Sequence, residues 1–497
     1  MQAAPLPNSP WRRHAPLLLA LLALCAVYAQ TLSFSFVNWD DPQHVYRNPG
    51  LLDRAHADPR DVWLAHNLGY PMPVTLATYA VDRSLFGPTT LTDALPQQGR
   101  GYHATQFVLA ILYLLAAYAL FLALLDQPAV AAWEAALCVL HPMAVEPLAW
   151  ISGRKDVLAA LFVLLALQRL WRAVTQPGKP RIWLEFALLG ALALASKPIA
   201  VLLLPMSLWL LWVQRPGLTQ PARRIALIAL TFLAALAATV TALSLAWQRE
   251  AGALSGEAPV PYTLRNALWA LGFHAKLWLW PLDLRPKYVV SPPPGFSALD
   301  ALALLVLGVL LAGALHRQTR KTAVGFGCAL ALCAYLPVSN LIGLKRFVAD
   351  TYLFLPTAGI SLAIAGALQP PFSRLPRRLR LAAALLPLAL CAVLSLHQVN
   401  IWRNSVALWS HTVALEPDSP EVCRMLGHAY GEENQPRASI DVYLACMQRF
   451  GPAPFANNLA VTALRAGDNV LAKQWFSWIL ARNPRDDRAR HYLDQLR

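Results

Sequence analysis

Charged residues are scarce in this sequence. Only 14% of its 497 residues are Asp, Glu, Lys or Arg, whereas 57% are hydrophobic. Soluble domains carry about a quarter charged residues, so the composition excludes an ordinary soluble protein and indicates a membrane protein. Acidic residues are the scarcer sign, with 27 against 42 basic ones. Because the arginines cluster in short loops between apolar runs, the positive-inside rule accounts for the basic excess, and we expect no nucleic-acid partner.

The motifs of several common enzyme classes are also missing. The sequence has no Walker loop, no GxGxxG and no HExxH. It therefore gives no support for nucleotide hydrolysis, dinucleotide binding or zinc proteolysis. The seven cysteines include no CxxC pair, so neither a zinc site nor a redox motif is indicated.

Long apolar runs are abundant instead. A spanning helix needs about 20 apolar residues, and the candidates are 15–34, 103–125, 129–149, 156–172, 182–196, 198–214, 225–246, 299–315, 323–338, 353–368 and 381–397. We expect the first to be an uncleaved helix, because it lacks a clear small-residue cleavage site.

A twelfth run, 264–282, contains Arg265, His274 and Lys276. All the basic loop clusters fall on one side of the membrane only if this run does not cross. We therefore predict an interfacial helix with its tryptophans at headgroup depth, and His274 and Lys276 as headgroup contacts. That arrangement gives eleven spans, with the amino terminus inside and the carboxyl terminus outside.

The composition changes after residue 398, where charges appear on helical spacing. LGHAY at 426–430 is followed ~33 residues later by LAVTA at 459–463 and by Gly467 and Ala472, a period typical of tetratricopeptide repeats. We predict a membrane domain at 1–397 and a repeat domain at 398–497. Fewer than three repeats are rarely stable alone, so the tail should pack on the membrane domain or on a partner. A peptide-binding groove and a small structural cap both stay open.

Two cysteines of the tail face each other across one predicted helical hairpin. These are Cys423 and Cys446, on the side of the membrane where we expect oxidising conditions. A disulfide and two buried thiols are both compatible with the sequence.

Adjacent carboxylates follow the first apolar run, in the stretch FVNWDDP at 36–42. Asp40 and Asp41 repel each other, which favours a site that binds a cation or a proton. A solvated turn before Pro42 is the alternative interpretation.

Further ionisable residues gather in loops predicted to lie on the same outer face. Helix capping explains Asp156, but cations beside a helix start oppose its dipole and suit an anionic lipid phosphate. Snorkelling and stop-transfer flanking are the alternatives for the later cations. The candidates are His141, Glu146, Arg154, Lys155, Asp156, Lys197, Lys345, Arg346, Asp350 and Tyr352.

These stretches resemble the transmembrane and tetratricopeptide repeat-containing (TMTC) family and its bacterial relatives. The likeness covers nearly the whole chain, and its most specific part runs from HPxxVE at 141–146 into AWISGRKDVL at 149–158. Its other parts are FVNWDDP at 36–42 with NP at 48–49, SKP at 196–198, WPL at 280–282 and ADTYLFLP at 349–356.

The resemblance implies an all-α, polytopic membrane protein of GT-C type with a C-terminal tetratricopeptide repeat domain. It implies an enzyme that takes a sugar from a polyprenyl-phosphate carrier, with Asp40 and Asp41 as the catalytic or metal-binding motif. Two departures bear on the identity of the donor. Many relatives have Asp-Arg-Tyr where this chain has DTY at 350–352, and Met72 stands near a position where relatives carry a basic residue.

We therefore hypothesise an inverting glycosyltransferase of the bacterial inner membrane, with its site and repeat tail on the outer side. Asp40 or Asp41 would be the base or would hold a divalent metal ion, and Glu146 would support the acceptor or that metal. The donor phosphate would be held by Arg154, Lys155, Lys197, Lys345 and Arg346, and the supporting residues would be His141, Asp156, Asp350 and Tyr352. The expected partners are the lipid-linked sugar, membrane lipids and an acceptor protein, with a Ser or Thr hydroxyl as the leading acceptor.

Two other classes of function were weighed against this hypothesis. A membrane-anchored scaffold would need one span rather than eleven with charged outer loops. A transporter would need ionisable residues at mid-helix, and the main ones, Glu134 and Glu185, lie near predicted helix ends or near neighbouring charges.

Overall fold

The computed structural model describes residues 10–53, 56–87, 99–176, 179–214, 218–250, 263–341, 344 and 346–496. Within these ranges the fold is all-α, and no strand occurs. The helices before the tail are α1 Pro10–Tyr28, α2 Pro49–Leu52, α3 Pro59–Leu64, α4 Pro73–Phe86, α5 Gly99–Leu125, α6 Pro128–Leu140, α7 Val145–Ala149, α8 Arg154–Thr175, α9 Pro180–Ser196, α10 Leu203–Gln214, α11 Gln220–Glu250, α12 Leu264–Leu279, α13 Ala298–Leu315, α14 Ala323–Tyr335, α15 Phe354–Ser373 and α16 Arg377–Ile401. The tail contains α17 Ser405–Leu415, α18 Pro420–Glu432, α19 Pro436–Phe450, α20 Ala456–Arg465, α21 Asn469–Arg482 and α22 Asp487–Gln495.

Seven helical segments among the described residues are long and apolar enough to cross a membrane, so the protein is a multi-pass membrane protein. An eighth span forms if α6 and the following segment Pro142–Ala149, bent by 61°, count as one. The seven segments are Ala15–Ser33, Gly99–Leu125, Ile151–Thr175, Gln220–Glu250, Ala298–Leu315, Asp350–Gln369 and Arg378–Ile401. The sidedness of the loops stays a prediction.

The count is lower than the eleven predicted spans because three apolar runs form shorter helices. The run at 182–196 lies in α9, whose 17 residues reach ~26 Å at the α-helical rise, short of a ~30 Å hydrocarbon core. The runs at 198–214 and 323–338 form the shorter apolar helices Pro198–Gln214 and Ala323–Val338. Hydropathy alone does not show where each helix ends: α9 ends at Ser196, and Pro198 begins the next helical segment.

The run at 264–282 forms α12, which is not among the spanning segments, but the helix is more deeply packed than predicted. Trp269 is buried and stacks on Phe347 with ring centroids 6.0 Å apart. His274 is also fully buried, so it is not the headgroup contact predicted from the sequence. Trp280 is exposed, as an interfacial tryptophan would be.

The tail consists of consecutive helices that each pack against the next. α16 continues to Ile401, so the predicted boundary at 398 falls within its last turn. Gly427 lies where α18 meets α19, since a Cβ there would stand 2.5 Å from the ring of Tyr443. The structure forms the disulfide between Cys423 and Cys446, with Cα atoms 6.2 Å apart, across the same hairpin. The tetratricopeptide assignment itself stays a prediction.

The tail packs on the membrane domain at the loop that carries the paired aspartates. The Trp409 indole donates to Asn38 Oδ1 at 2.6 Å, and the Asn38 amide donates to Ser405 Oγ at 3.0 Å. Trp39 packs edge-on against Trp409 with centroids 5.4 Å apart. The hydrophobic core runs without interruption from α1 into α18. The tail and the first loop therefore form one packed unit.

The close packing of α12 against α13 can be tested by substituting a glycine. A Cβ at Gly272 would lie 1.9 Å from the Leu299 carbonyl oxygen, so Gly272→Ala must push the two helices apart. We expect a loss of about 1–3 kcal/mol from overpacking, measured as a lower thermal unfolding midpoint in detergent. Gly308→Ala is the matched control, because nothing lies within 4 Å of a Cβ at that position of α13. Equal midpoints for the two variants would contradict the close approach.

Candidate active site

Asp41 attaches the first loop to the turn that precedes α8. Its Oδ2 accepts a hydrogen bond from the Val37 amide at 2.9 Å. Its Oδ1 accepts from the Ser152 amide at 3.0 Å and from the Ser152 hydroxyl at 2.5 Å. Burial raises the pKa of Asp41 to about 6, although these hydrogen bonds lower it in part. Both carboxylate oxygens are thus engaged by the protein.

Asp40, the neighbouring residue, is in a different environment. Its side chain is 42% exposed, and its Oδ2 lies 3.6 Å from Lys155 Nζ. Burial opposes ionisation, but the positive charges of Lys155 and Arg346 outweigh it, and the pKa of Asp40 falls below its usual value. Asp40 is therefore the ionised and accessible member of the pair.

Two lysines come from the helical bundle: Lys155 lies next to Asp40, and the charge of Lys197 acts on Lys155. Lys155 Nζ donates to the Ser152 carbonyl at 2.8 Å and lies 4.6 Å from the centroid of the Trp150 ring. Lys197, at the end of α9, pairs with Asp156 Oδ1 at 2.5 Å. The second oxygen, Asp156 Oδ2, is buried without a hydrogen-bond partner among the described residues. One polar position beside Lys197 is therefore unsatisfied.

Arg346 is the second cation whose charge acts on Asp40. Its Nη1 pairs with Glu146 Oε1 at 3.0 Å, and its Nη2 donates to the Pro286 carbonyl at 2.6 Å. Its guanidinium also lies 5.8 Å from the ring of Trp39. Glu146, predicted to support the acceptor or a metal, thus acts on the orientation of Arg346.

Asp350 and Tyr352 lie next to this arginine. Tyr352 Oη donates to the Arg346 carbonyl at 2.9 Å, and Tyr288 Oη donates to Asp350 Oδ1 at 2.5 Å. Both residues therefore support the segment that carries Arg346. Lys345, the other predicted cation of this segment, lies outside the described residues.

Arg154 is not brought to this group, although it adjoins Lys155 in sequence. It has no exposed side-chain surface, and its Nη1 lies 2.6 Å from Asp82 Oδ2. Its Nη2 donates to the Tyr102 carbonyl at 2.9 Å. Successive helical residues point about 100° apart, so α8 directs Lys155 to the loop and Arg154 into the bundle. This geometry assigns Arg154 a structural role instead of the predicted contact with a donor phosphate.

His141 is also a structural residue in this fold. Its Nε2 donates to the Trp278 carbonyl at 3.1 Å, and its Nδ1 accepts from the Met143 amide at 3.3 Å. The ring stacks on Trp278 with a centroid distance of 5.0 Å. Both ring nitrogens are occupied, so His141 caps the turn after α6 and is not free to exchange protons with a substrate.

Two residues near Asp40 were not among the predicted site residues. Burial lowers the pKa of His44 to about 3, and its Nδ1 has no hydrogen-bond partner in the described ranges. Burial, together with the charges of Asp40 and Asp156, raises the pKa of Tyr70 well above its usual value. The spacing of His44 four residues after Asp40 was an available signal, as was the tyrosine near Met72.

The paired aspartates do not fit a divalent metal site. Asp41 has both oxygens occupied by protein donors, and Lys155 stands beside Asp40 where a cation would bind. Among the described residues, no group of three or more His, Cys, Asp or Glu side chains is arranged to hold a metal ion. The charge next to Asp40 is supplied by the protein itself.

The arrangement combines one accessible carboxylate, Asp40, with the nearby cations Lys155 and Arg346. A carboxylate can accept a proton from a hydroxyl, and cations can stabilise a departing phosphate. The site is thus chemically suited to displacement of a phosphate by a hydroxyl.

The ion pair of Arg154 gives a test of its structural role. Asp82→Asn would leave the Arg154 charge buried without a counter-charge, so we expect a loss of about 3–5 kcal/mol. Asp58→Asn is the control, because Asp58 forms an exposed pair with Arg60 at 2.9 Å. The unfolding midpoint in detergent should fall for the first variant and stay unchanged for the second. A similar midpoint for both would overturn the assignment.

Comparison with known proteins gives distant similarities. No protein-family model matches the chain. A curated protein O-mannosyl-transferase of Caenorhabditis elegans is 24% identical over 443 residues, which is 84% of this chain and 60% of that protein. This chain therefore spans less than two thirds of the length of that relative.

Two solved structures have a similar chain trace at low identity. The apo oligosaccharyltransferase of Archaeoglobus fulgidus has a TM-score of 0.47 at 14% identity, covering 89% of this chain and 60% of that one. ArnT from Cupriavidus metallidurans bound to undecaprenyl phosphate has a TM-score of 0.41 at 15% identity, covering 93% of this chain and 80% of that one.

Proposed function

We propose that this protein is a GT-C type membrane glycosyltransferase that moves a sugar from a polyprenyl-phosphate carrier to an acceptor hydroxyl. The main observation behind this proposal is the geometry of Asp40. It is an accessible ionised carboxylate 3.6 Å from Lys155 Nζ, and the charge of Arg346 also lowers its pKa. The O-mannosyl-transferase name of the C. elegans relative supports a Ser or Thr hydroxyl of a protein as the acceptor. The proposal places the site and the tail on the outer face of a bacterial inner membrane.

In this reaction Asp40 is the general base. The acceptor oxygen attacks the anomeric carbon from the face opposite the phosphate, and its proton passes to Asp40. The bond between the anomeric carbon and the phosphate oxygen breaks, and the electron pair leaves with the phosphate. Configuration is inverted because there is one displacement.

The donor phosphate is held by the cations on the bundle side of Asp40. Lys155 lies next to the base. Lys197 forms an ion pair with one oxygen of Asp156, whose other oxygen has no hydrogen-bond partner among the described residues. Arg346 is fixed by Glu146 and the Pro286 carbonyl. As phosphate leaves, its charge grows, and preorganised cations stabilise that change more than they stabilise the bound donor.

Asp41 and Glu146 have positioning roles in this mechanism. Asp41 holds the loop against Ser152, and Glu146 holds Arg346. Neither residue needs to contact the acceptor. Their loss would therefore displace the base or the phosphate ligand by a small distance, which is costly for a reaction that depends on alignment.

The direct test uses the purified protein in lipid nanodiscs with a synthetic polyprenyl-phosphate sugar and a threonine peptide. Asp40→Asn should lower the transfer rate by about 10²–10⁴-fold, the usual contribution of a general base. Asp53→Asn is the control, because Asp53 lies in the same loop with an exposed side chain. Mass spectrometry of the peptide measures transfer. The assignment of the base is lost if Asp40→Asn retains the wild-type rate, and a protein with no transfer at all would favour a scaffold.

The pH dependence of transfer tests the separate role of Asp41. Its pKa of about 6 means that it protonates below that pH and loses acceptor capacity for Val37 or Ser152. The rate should therefore rise through pH 6 and level off above it. The lowered pKa of Asp40 places its own titration at lower pH.

Asp41→Asn should remove this rise, because an amide does not titrate. The variant is expected to show a flat and lower rate over the same range. If the transfer rate of the variant still rose with a midpoint near pH 6, a group other than Asp41 would control the pH dependence.

A further inference from the structure

A cleft of about 460 Å³ lies where the helical tail meets the first loop. Arg47 lines it from that loop, one residue beyond the helical segment Pro42–Tyr46. His428 lines it from α18, and Arg465 and Arg488 line it from α20 and α22. None of these side chains has a part in the proposed transfer step.

The cleft has an excess of positive charge. Its described lining contains three arginines and one carboxylate, Glu432, which leaves a net charge of +2. Glu432 is already paired with Arg47 at 2.9 Å. Arg465 and Arg488 are exposed, and neither forms an ion pair with another described residue. Two cationic groups therefore face the open cleft without a protein counter-charge.

The uncharged polar residues of the cleft include His428 and two asparagines, and they fit its positive charge. The pKa of His428 is lowered by burial first and then by the charges of Arg47 and Arg465, against the effect of Glu432. The imidazole is thus neutral near pH 7. Asn457 and Asn458 add side-chain amides to the lining, which can hydrogen-bond to a peptide backbone. A charged lining with amide donors suits a solvated, extended anionic chain.

A hydrogen bond joins the cleft to the loop of the candidate active site. The Asn38 side-chain amide lies 3.1 Å from His428 Nδ1, and Asn38 is two residues before Asp40. The same side chain accepts from Trp409 at 2.6 Å. A polypeptide bound in the cleft would therefore lie on the tail side of the segment that carries Asp40.

We propose that the cleft binds an acidic segment of the acceptor polypeptide, through Arg465 and Arg488, next to the hydroxyl that receives the sugar. The proposal rests on the proposed function only for the identity of this polypeptide as the acceptor. Binding of the acidic segment itself is independent of sugar transfer. It defines the substrate class as hydroxyl residues flanked by Asp or Glu.

The test measures binding of a fluorescent glutamate-rich threonine peptide to the full-length protein in nanodiscs of zwitterionic lipid, without sugar donor. A twin peptide with glutamine in place of glutamate isolates the effect of charge. We expect the acidic peptide alone to bind, and added salt to weaken binding. The double variant Arg465→Glu/Arg488→Glu should lose about tenfold or more in affinity, because two favourable contacts become repulsive.

The matched control is Arg437→Glu/Arg485→Glu, which makes the same change in net charge at exposed tail positions outside the cleft lining. It should keep wild-type affinity, and both double variants should unfold at the wild-type temperature. Equal loss in the two double variants, or equal binding of the two peptides, would overturn the proposal. Binding of anionic-lipid vesicles that displaces the peptide and depends on Arg465 and Arg488 would assign the cleft to lipid instead.

Asp40→Asn separates the two proposals. This variant should bind the acidic peptide as the wild type does while transfer is lost. Peptide binding without transfer in the wild type would leave the cleft assignment standing and would contradict the glycosyltransferase assignment. Equal rates of sugar transfer to the glutamine peptide and to the acidic peptide would support the glycosyltransferase assignment and contradict the cleft assignment.

Discussion

The candidate site depends on the buried carboxylate of Asp41. It accepts hydrogen bonds from Val37 within the loop and from Ser152 in the turn before the helix that carries Lys155. Removing one acceptor from such a buried group leaves donors unpaired, which costs more than one hydrogen bond gains. The hydrogen bonds between Asp41 and Ser152 fix the distance between Asp40 and Lys155, because Asp40 is next to Asp41 in sequence and Lys155 is three residues after Ser152. The geometry of the candidate site therefore depends on a residue that does not contact substrate in the proposed mechanism.

The same loop is held on its other side by the tail. Asn38 donates its backbone amide to Ser405 and accepts from the Trp409 indole, so the loop is fixed between the bundle and α17. The later tail helices have apolar clusters of their own, whereas α17 and α18 share the core of the membrane domain. This shared core holds the loop in place. Rigid support is what a proton acceptor needs if alignment is to contribute to rate.

The sequence singled out most residues of the candidate site, but it did not show which neighbours each side chain meets. The repulsion between adjacent aspartates and the cations at 154–155, 197 and 345–346 were visible as patterns, and Lys155, Lys197 and Arg346 lie beside acidic partners. The division of Asp40 from Asp41, and of Lys155 from Arg154, depends on which neighbour each side chain meets in three dimensions. Arg154 pairs with Asp82, more than seventy positions away, and the residues around Arg154 in the sequence do not predict that partner. The sequence predicted eleven spans where seven or eight segments are long enough by themselves, since hydropathy does not show where a helix ends.

Charge balance in the site explains how one carboxylate can serve as both counter-ion and base. Asp40, Asp156 and Glu146 lie beside Lys155, Lys197 and Arg346, one carboxylate for each cation. In the proposed reaction a phosphodiester donor becomes a phosphomonoester, which gains a negative charge, while Asp40 takes a proton and loses one. Lys155 is then released from Asp40 at the moment when the phosphate needs a counter-charge. The net charge of the site stays constant through the step, so the low-dielectric surroundings do not oppose it.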